Sequence, residues 1–419
     1  MPELEGFPYT EAEFAADGGL LSDSVAEVAA GGRPPTDLIV LVHGWNNTPS
    51  IARELYKSFA RSLRAVARPA GDRTVGLYGV LWPSAKWDWF ERLTGSLTAL
   101  DTGPGTELGI RLDGLREVFV TEEARQRLAQ ARELLPGLER SRQAQREFVT
   151  VVRGLLPGSA TADEDAPDEL FALSSEALVE RLSRRLVPPP GKDDVAVPAD
   201  SLLWNIAGGF LEGARRLIDF IGYYEMKERA GTVGTGLARF LRTRVPAGVR
   251  VHLVGHSFGA RLVSAAAATE AGGIGRRPCS VTLLQGAFSH HGFARAYRDG
   301  RDGRFRSAVT SGVVTGPMLI SHTRNDLLVS IAYGVASQLA GHEGEDAFGP
   351  ANPYGGIGAN GAQSTPEAIQ ARLLPAGRPY DLTPGRPHNL LADDFIPDHV
   401  TVAGREVAHA ILSAVAATP

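Results

Sequence analysis

The chain has 419 residues, 43% of them hydrophobic, and a formal net charge of -5, which is enough to bury one large α/β core with an inserted cap. Its 43 basic residues are scattered and outnumbered by 48 acidic ones, which removes the electrostatic case for a nucleic-acid partner; the single cysteine, Cys279, excludes an intramolecular disulfide and any cysteine-built metal site. The first 16 residues carry Glu3, Glu5, Glu11 and Glu13 without the basic-then-apolar order of a secretory signal. No run reaches the roughly 18 apolar residues that span a bilayer, so the expected place is the cytoplasm.

Taken in chain order, residues 1–35 read as an N-terminal segment. Residues 38–43 are apolar and β-branched and predict a strand, followed by the loop His43, Gly44, Trp45, Asn46, Asn47, a helix over 50–67 and a strand over 75–82. Strand signals then stop: helices are predicted over 110–135, 139–155, 169–186 and 202–228, with linkers at 101–105, at the acidic 163–168 and at Pro188, Pro189, Pro190, Gly191. Residues 85–228 therefore read as a helical insertion, a cap, dividing a core made of 36–84 and 229–419. Trp82, Trp87, Trp89 and Phe90 gather where the insertion begins; packing between cap and sheet is the plainer reading, an acyl-binding wall or a lipid-facing surface the other. The amphipathic 202–224 segment mixes Glu212 and Asp219 with Arg215 and Arg216 on its polar face, which argues against membrane docking.

Beyond the insertion come a helix over 229–244, strands over 249–254, 281–284 and 317–322, a helix over 260–271, a Gly-, Asn- and Pro-rich stretch over 341–366 that reads as a long surface loop, a strand over 389–396 and a helix over 404–416. Alternation of short apolar strands with helices predicts an α/β fold with a mostly parallel central sheet flanked by helices on both faces. No internal repeat is present.

The pentapeptide Gly255, His256, Ser257, Phe258, Gly259 has the form GxSxG. In a chain this rich in glycine the pattern arises by chance roughly 0.3 times, so its weight comes from the strand before it and the helix after it. A serine hydroxyl becomes a nucleophile only when a base removes its proton and an acid orients that base. Asp326 is the candidate acid, on the loop after the 317–322 strand; Asp299 and Asp302 lie in what reads as a solvated turn. His399 is the candidate base, between the last strand and the last helix, with His388 and His342 as competitors and His409 inside the terminal helix. The backbone N–H groups of Phe258 and Trp45 are the candidate donors to a developing oxyanion, Gly44 allowing close approach to substrate. Adjacent His290 and His291 make a poor chelating pair, no HExxH-type spacing occurs, and His256 reads as packing beneath the turn, so neither a metal nor a cofactor is expected.

Together HGWNN, GHSFG, HTRND and IPDH, in that order, resemble the α/β-hydrolase superfamily over roughly 36–82 and 229–416. The resemblance implies an eight-stranded sheet and an ester-hydrolase-like triad of Ser257, His399 and Asp326. It departs in two respects: the large insertion precedes the nucleophile instead of following a later strand, and the spacing from Asp326 to His399 is long because the Gly-rich stretch intervenes, which leaves room for His342 or His388 to compete. The function expected is a serine hydrolase of carboxylic esters acting on a small-molecule ester or acyl substrate. The alternatives are a lipase, thioesterase or acyltransferase for longer acyl chains, and a non-catalytic binding protein on the same fold. Oligomeric state has no sequence signal.

Overall fold

A computed structural model describes residues 3–24, 34–67, 72–84, 104–156, 168–184, 209–270, 277–297, 299–342 and 349–418. They fall into two compact units, one made of Met1–Ser84, Lys227–Val329 and Gly356–Pro419, the other of Ala85–Met226 and Ser330–Gly355. Trp87, Trp89, Phe90 and the Pro188–Pro190 linker lie outside the described residues.

The first unit is built on a ten-stranded sheet of β1 (Glu3–Leu4), β2 (Phe7–Phe14), β3 (Leu20–Asp23), β4 (Asp37–Val42), β5 (Val75–Leu81), β6 (Arg250–His256), β7 (Ser280–Leu284), β8 (Met318–His322), β9 (Ile369–Arg372) and β10 (Pro387–Leu391). The order is β1-β2-β5-β4-β6-β7-β8-β10-β9, with β3 also on β2. The eight strands from β2 to β9 along this path are all parallel, and only β1 and β3 run antiparallel. Ten strands replace the eight that the resemblance implies.

Helices of the first unit are α1 (Pro49–Val66), the 227–244 part of α7 (Phe210–Arg244), α8 (Phe258–Glu270), the short α9 (Ser307–Thr310) and α11 (Ile357–Asn360), and α12 (Arg405–Ala416). Thr48 starts α1 by accepting the Ile51 N–H, and Pro49 fits the first helical position, where no N–H is needed. Its apolar face of Tyr56, Phe59, Ala60 and Leu63 joins Val407, Ile411 and Val415 of α12 over Ile39, Leu41 and Leu77 of the sheet. On the opposite face Phe240 of α7 stacks on Tyr78, the neighbour of Leu77, with ring centroids 5.5 Å apart. Covered on both sides, β4 is buried at all six residues, as its unbroken apolar run requires.

The second unit is helical: α2 (Pro104–Val118), α3 (Glu122–Leu134), α4 (Arg142–Arg153), α5 (Glu169–Ala172), α6 (Ser175–Ser183), the 210–226 part of α7 and most of α10 (Leu327–Leu339). Leu112, Leu128, Phe148, Leu178, Leu182 and Leu217 are buried in it. Buried Arg111 bridges Glu107 and Asp219, and Arg215 and Arg216 share Glu212, so these charges neutralise one another inside the unit. No helix among the described residues is long and apolar enough to cross a membrane.

Several boundaries differ from those predicted, for local reasons. Residues 110–135 form two helices because Thr121 caps a new one, its side chain accepting the Ala124 N–H; Ser174 likewise divides 169–186. Conversely the boundary predicted at 228 and 229 is absent, since nothing between Met226 and Gly231 stops α7; residues 202–208 lie outside the described residues. The N-terminal segment enters the sheet as β2, where Thr10, Ala12 and Phe14 are buried and Glu11 and Glu13 are not. The last strand begins earlier than read, at Pro387, and residues 392–396 turn away from it. Within the presumed surface loop of 341–366, residues 352, 354, 357, 362 and 365 are buried.

At the amino ends of β4, β6 and β7 the sheet is held by charge. Asp37, fully buried, accepts hydrogen bonds from Thr36 Oγ1, both Arg73 and Arg250 guanidinium groups, and His252 Nε2 at 3.0 Å; His252 Nδ1 lies 2.8 Å from Ser280 Oγ. Arg73 continues to the carbonyls of Val415 and Thr418, tying in the chain end. Burial alone would raise the Asp37 carboxyl, but the bonds from His252, Arg250, Arg73 and Thr36 outweigh it and hold the group far below the carboxylate range. Its stabilisation is complete above the unfolded value of about 4 and is lost only as pH falls toward the much lower folded value. Asp37→Asn leaves two guanidinium groups without their counter-charge, and urea denaturation at pH 7 is expected to show a loss of about 3 kcal/mol; an unchanged midpoint would assign the cluster no stabilising role.

Candidate active site

Because the strands are parallel, the loops after β4, β6, β7, β8 and β10 leave from one edge of the sheet. The chain moves from β4 outward to β5, then returns to the other side of β4 as β6, so the strand order reverses between β4 and β6. Ligands of open parallel sheets bind at the carboxyl ends beside such a reversal. His43 to Asn47 follow β4, and Ser257 follows β6.

Ser257 has φ +57°, the left-handed region, as the single residue between β6 and α8. Such a backbone costs about 1–3 kcal/mol and persists only when its surroundings fix it. Here the Ser257 N–H donates to Leu284 O at 3.0 Å, and the Ser257 carbonyl accepts from Ala260 N at 3.0 Å and Ala287 N at 3.2 Å. The two glycines of the pentapeptide are steric requirements: a Cβ on Gly255 would lie 2.2 Å from Gly259 O, and one on Gly259 would lie 2.3 Å from Val42 O.

His399 Nε2 is 2.9 Å from Ser257 Oγ, and His399 Nδ1 is 2.8 Å from Asp326 Oδ2. All three side chains are buried. The imidazole thus donates from Nδ1 to the carboxylate and accepts the hydroxyl proton at Nε2. Asp326 Oδ1 accepts the Val329 N–H at 3.0 Å, at the start of α10. The competing histidines lie elsewhere. His388 sits inside β10 and accepts the Thr383 N–H, the His342 ring is beside Tyr354 in the helical unit, and His409 on α12 meets Arg378 O. Asp299 is exposed and Asp302 is spent on the Ala296 N–H of its own turn.

The loops that carry Asp326 and His399 are clipped together. Thr323 Oγ1 and the Arg324 N–H and Nε donate to Asp393, while Asn325 Nδ2 donates to the carbonyls of Asp393 and Ile396. Burial works against the Asp393 charge, but these donors hold its carboxyl below the usual range. Asp398 then fixes the turn that carries His399 by accepting from the Val400 and Thr401 N–H groups. His256 does more than pack under the turn. Its Nε2–H donates to the His399 carbonyl at 2.7 Å, and its ring lies 5.1 Å from the His399 ring.

The loop after β4 runs against the serine: a Cβ on Gly44 would stand 2.6 Å from Ser257 Cβ and 3.2 Å from Oγ. Asn47 Nδ2 holds it by donating to the Gly44 and Trp45 carbonyls, and the Trp45 ring rests 5.7 Å from that of Phe258. His43 Nδ1–H donates to Gly44 O, while Trp82 stacks on the His43 ring and gives its indole N–H to His43 O. Trp82 is therefore a packing residue beneath this loop.

Of the adjacent pair His290 and His291, His290 Nδ1 pairs with Asn360 and the His291 ring stacks on Tyr297. No group of three or more His, Cys, Asp or Glu able to hold a metal occurs among the described residues. The sequence reading missed Gln285, Asn325, Asp393 and the His256 contact. Of these, Gln285 carries a legible signal, since it follows β7 directly at the loaded edge, while Asn325 stands three residues beyond β8.

Comparison with protein-family models, curated proteins and solved structures gives no match for this chain.

Burial brings the His43 ring down to about 4 and the His256 ring to about 3. Both unfold into water with a value near 6.5, so below that pH the unfolded chain takes up protons that the folded chain refuses. The folded state therefore loses stability as pH falls from about 6.5 toward 4, by roughly 2 kcal/mol for each ring at pH 5. Urea midpoints at pH 7.5 and pH 5 should differ accordingly, and His256→Asn should reduce the difference; pH-independent midpoints would contradict two buried neutral rings.

Proposed function

We propose that this chain is a serine hydrolase of carboxylic esters on an α/β-hydrolase fold. The observation that carries the reading is the unbroken hydrogen-bonded line from Ser257 Oγ through His399 to Asp326, on a left-handed turn beside the strand-order reversal.

In the proposed reaction Ser257 Oγ attacks the ester carbonyl as His399 Nε2 takes its proton, and Asp326 steadies the imidazolium that forms. The carbonyl oxygen gains negative charge and meets the N–H of Phe258, the first residue of α8, where the helix dipole adds its own positive end. The N–H of Trp45 is the second proposed donor, from a loop that its carbonyl contacts with Asn47 hold in place. His399 returns the proton to the leaving alcohol, and a water molecule, activated by the same ring, then releases the acid from the acyl-serine. No metal or cofactor takes part in this scheme.

A longer acyl chain, as for a lipase, thioesterase or acyltransferase, draws less support. Trp82, one of the four aromatic residues that suggested an acyl wall, is committed to His43.

Purified protein is expected to hydrolyse short p-nitrophenyl esters and to be labelled by a fluorophosphonate probe. Ser257→Ala should abolish labelling and lower kcat by at least about 10⁴-fold, with His399→Gln close behind. A mutant lacking Ser257 that still labels would sink the assignment, and rates that climb steadily with acyl length would favour the longer-chain reading. Gly44→Ala should cut activity more than tenfold through its collision with Ser257, an expectation that follows from near-attack geometry.

A further inference from the structure

Gln285, the residue after β7, is completely buried and has φ +45°, a strained backbone for a side chain of this size. Its side chain is fully engaged. Oε1 accepts from Ser321 Oγ at 2.6 Å, and Nε2 donates both to Gly358 O at 2.9 Å and to Asp326 Oδ2 at 3.3 Å. The amide orientation follows from its neighbours: exchanging O and N would turn an oxygen toward a carboxylate and a carbonyl. Ser321 Oγ also accepts the Gln285 N–H at 3.2 Å, so β8 grips both ends of the residue.

The oxygen that Gln285 reaches is the one that faces His399. Asp326 Oδ2 receives His399 Nδ1–H and the Gln285 amide, while Oδ1 receives the Val329 N–H. With donors on both oxygens the carboxylate cannot rotate about its own bond without breaking one of them. The amide also takes up a share of the Oδ2 charge that would otherwise act on the imidazole alone. Leu284 and Ala287, on either side of the same turn, fix the Ser257 backbone. One strand end therefore holds both the nucleophile and the acid.

We infer that Gln285 is a positioning residue that orients the Asp326 carboxylate toward His399 and moderates how strongly that carboxylate holds the imidazolium. The inference rests on the ester-hydrolase reading for its kinetic consequence but not for its titration. Among the described residues the ionisable side chains in contact with the His399 ring are Asp326 and His256, and burial keeps His256 neutral, with its own ring brought down to about 3. A neutral substitution at 285 therefore acts on the pH response through Asp326.

Gln285→Met keeps the length of the side chain and removes both donors and the acceptor. Its His399 ring, followed by histidine NMR, should take up its proton at a pH higher by roughly half a unit than in the wild type, because the carboxylate keeps more charge for it. In steady-state hydrolysis kcat should fall about ten- to a hundredfold with KM little changed, and the acid limb of the pH profile should move the same way. If Gln285→Met does not fold, Ser321→Ala, which frees the same amide, should shift both readouts in the same direction by less. Superimposable NMR titrations would overturn the inference, as would a loss confined to KM. Wild-type protein without turnover or fluorophosphonate labelling would instead overturn the hydrolase reading, and the titration would still decide the role of Gln285.

Discussion

The arrangement of this molecule depends on one steric constraint, the turn between β6 and α8. A strand can pass into a helix through a single residue only if that residue adopts the left-handed region and the backbones on either side nearly touch. Gly255 and Gly259 remove the two Cβ atoms that would prevent this, and the carbonyl and N–H of Ser257 are held by residues of the neighbouring strand end. The strain at Ser257 is met by its hydrogen bonds to Leu284 and Ala287, at and just beyond the end of β7, and by the close approach of Gly259 to Val42 of β4. A hydroxyl is thereby held out at the carboxyl edge of the sheet, where chain reversal leaves room for other loops to reach it.

What reaches it is organised in the same manner, by contacts that make distant segments behave as one piece. Asp326 and His399 are 73 positions apart, and a flexible connection of that length would lose considerable entropy in bringing them together. The loss is met by the bonds of Thr323, Arg324 and Asn325 to the Asp393–Ile396 turn, which align the two loops before either functional side chain is considered. His256, at the end of β6, adds a bond to the backbone of His399. Side chains placed by such contacts need little reorganisation when charge moves between them.

Much of this framework is legible in the sequence because its signals are local. Short apolar, β-branched stretches at 38–43 and 249–254 announce buried parallel strands, and a strand, a glycine-framed serine and an alanine-rich helix announce the turn. Asp326 and His399 stand out as polar residues directly beyond strand signals. The N-terminal strand escapes notice because Glu11 and Glu13 mask the alternation of Thr10, Ala12 and Phe14. The Gly-rich 349–366 stretch escapes for another reason: glycine and asparagine are turn formers in any window, and only tertiary contacts such as Asn389 on Ala362 show that this stretch is buried. Gln285 is invisible to composition, since its importance lies in a hydrogen bond to a residue 41 positions away.

The buried row of Asp37, His252 and Ser280 at the opposite edge carries a lesson for recognising function from coordinates. It contains the same three residue types at similar hydrogen-bond distances, 2.8 and 3.0 Å against 2.9 and 2.8 Å for the row at Ser257, so a template built from side-chain identities alone would select both rows. Three details tell them apart. The imidazole is reversed, with Nδ1 toward the serine and Nε2 toward the acid, and the acid is already saturated by two guanidinium groups. A carboxylate so neutralised has no charge left to offer a second cation, and Ser280 lies within a regular strand register instead of on a protruding turn. Under the proposed reaction, the two rows differ less in which three groups meet than in how much unspent negative charge the third retains and whether the first is lifted clear of the sheet.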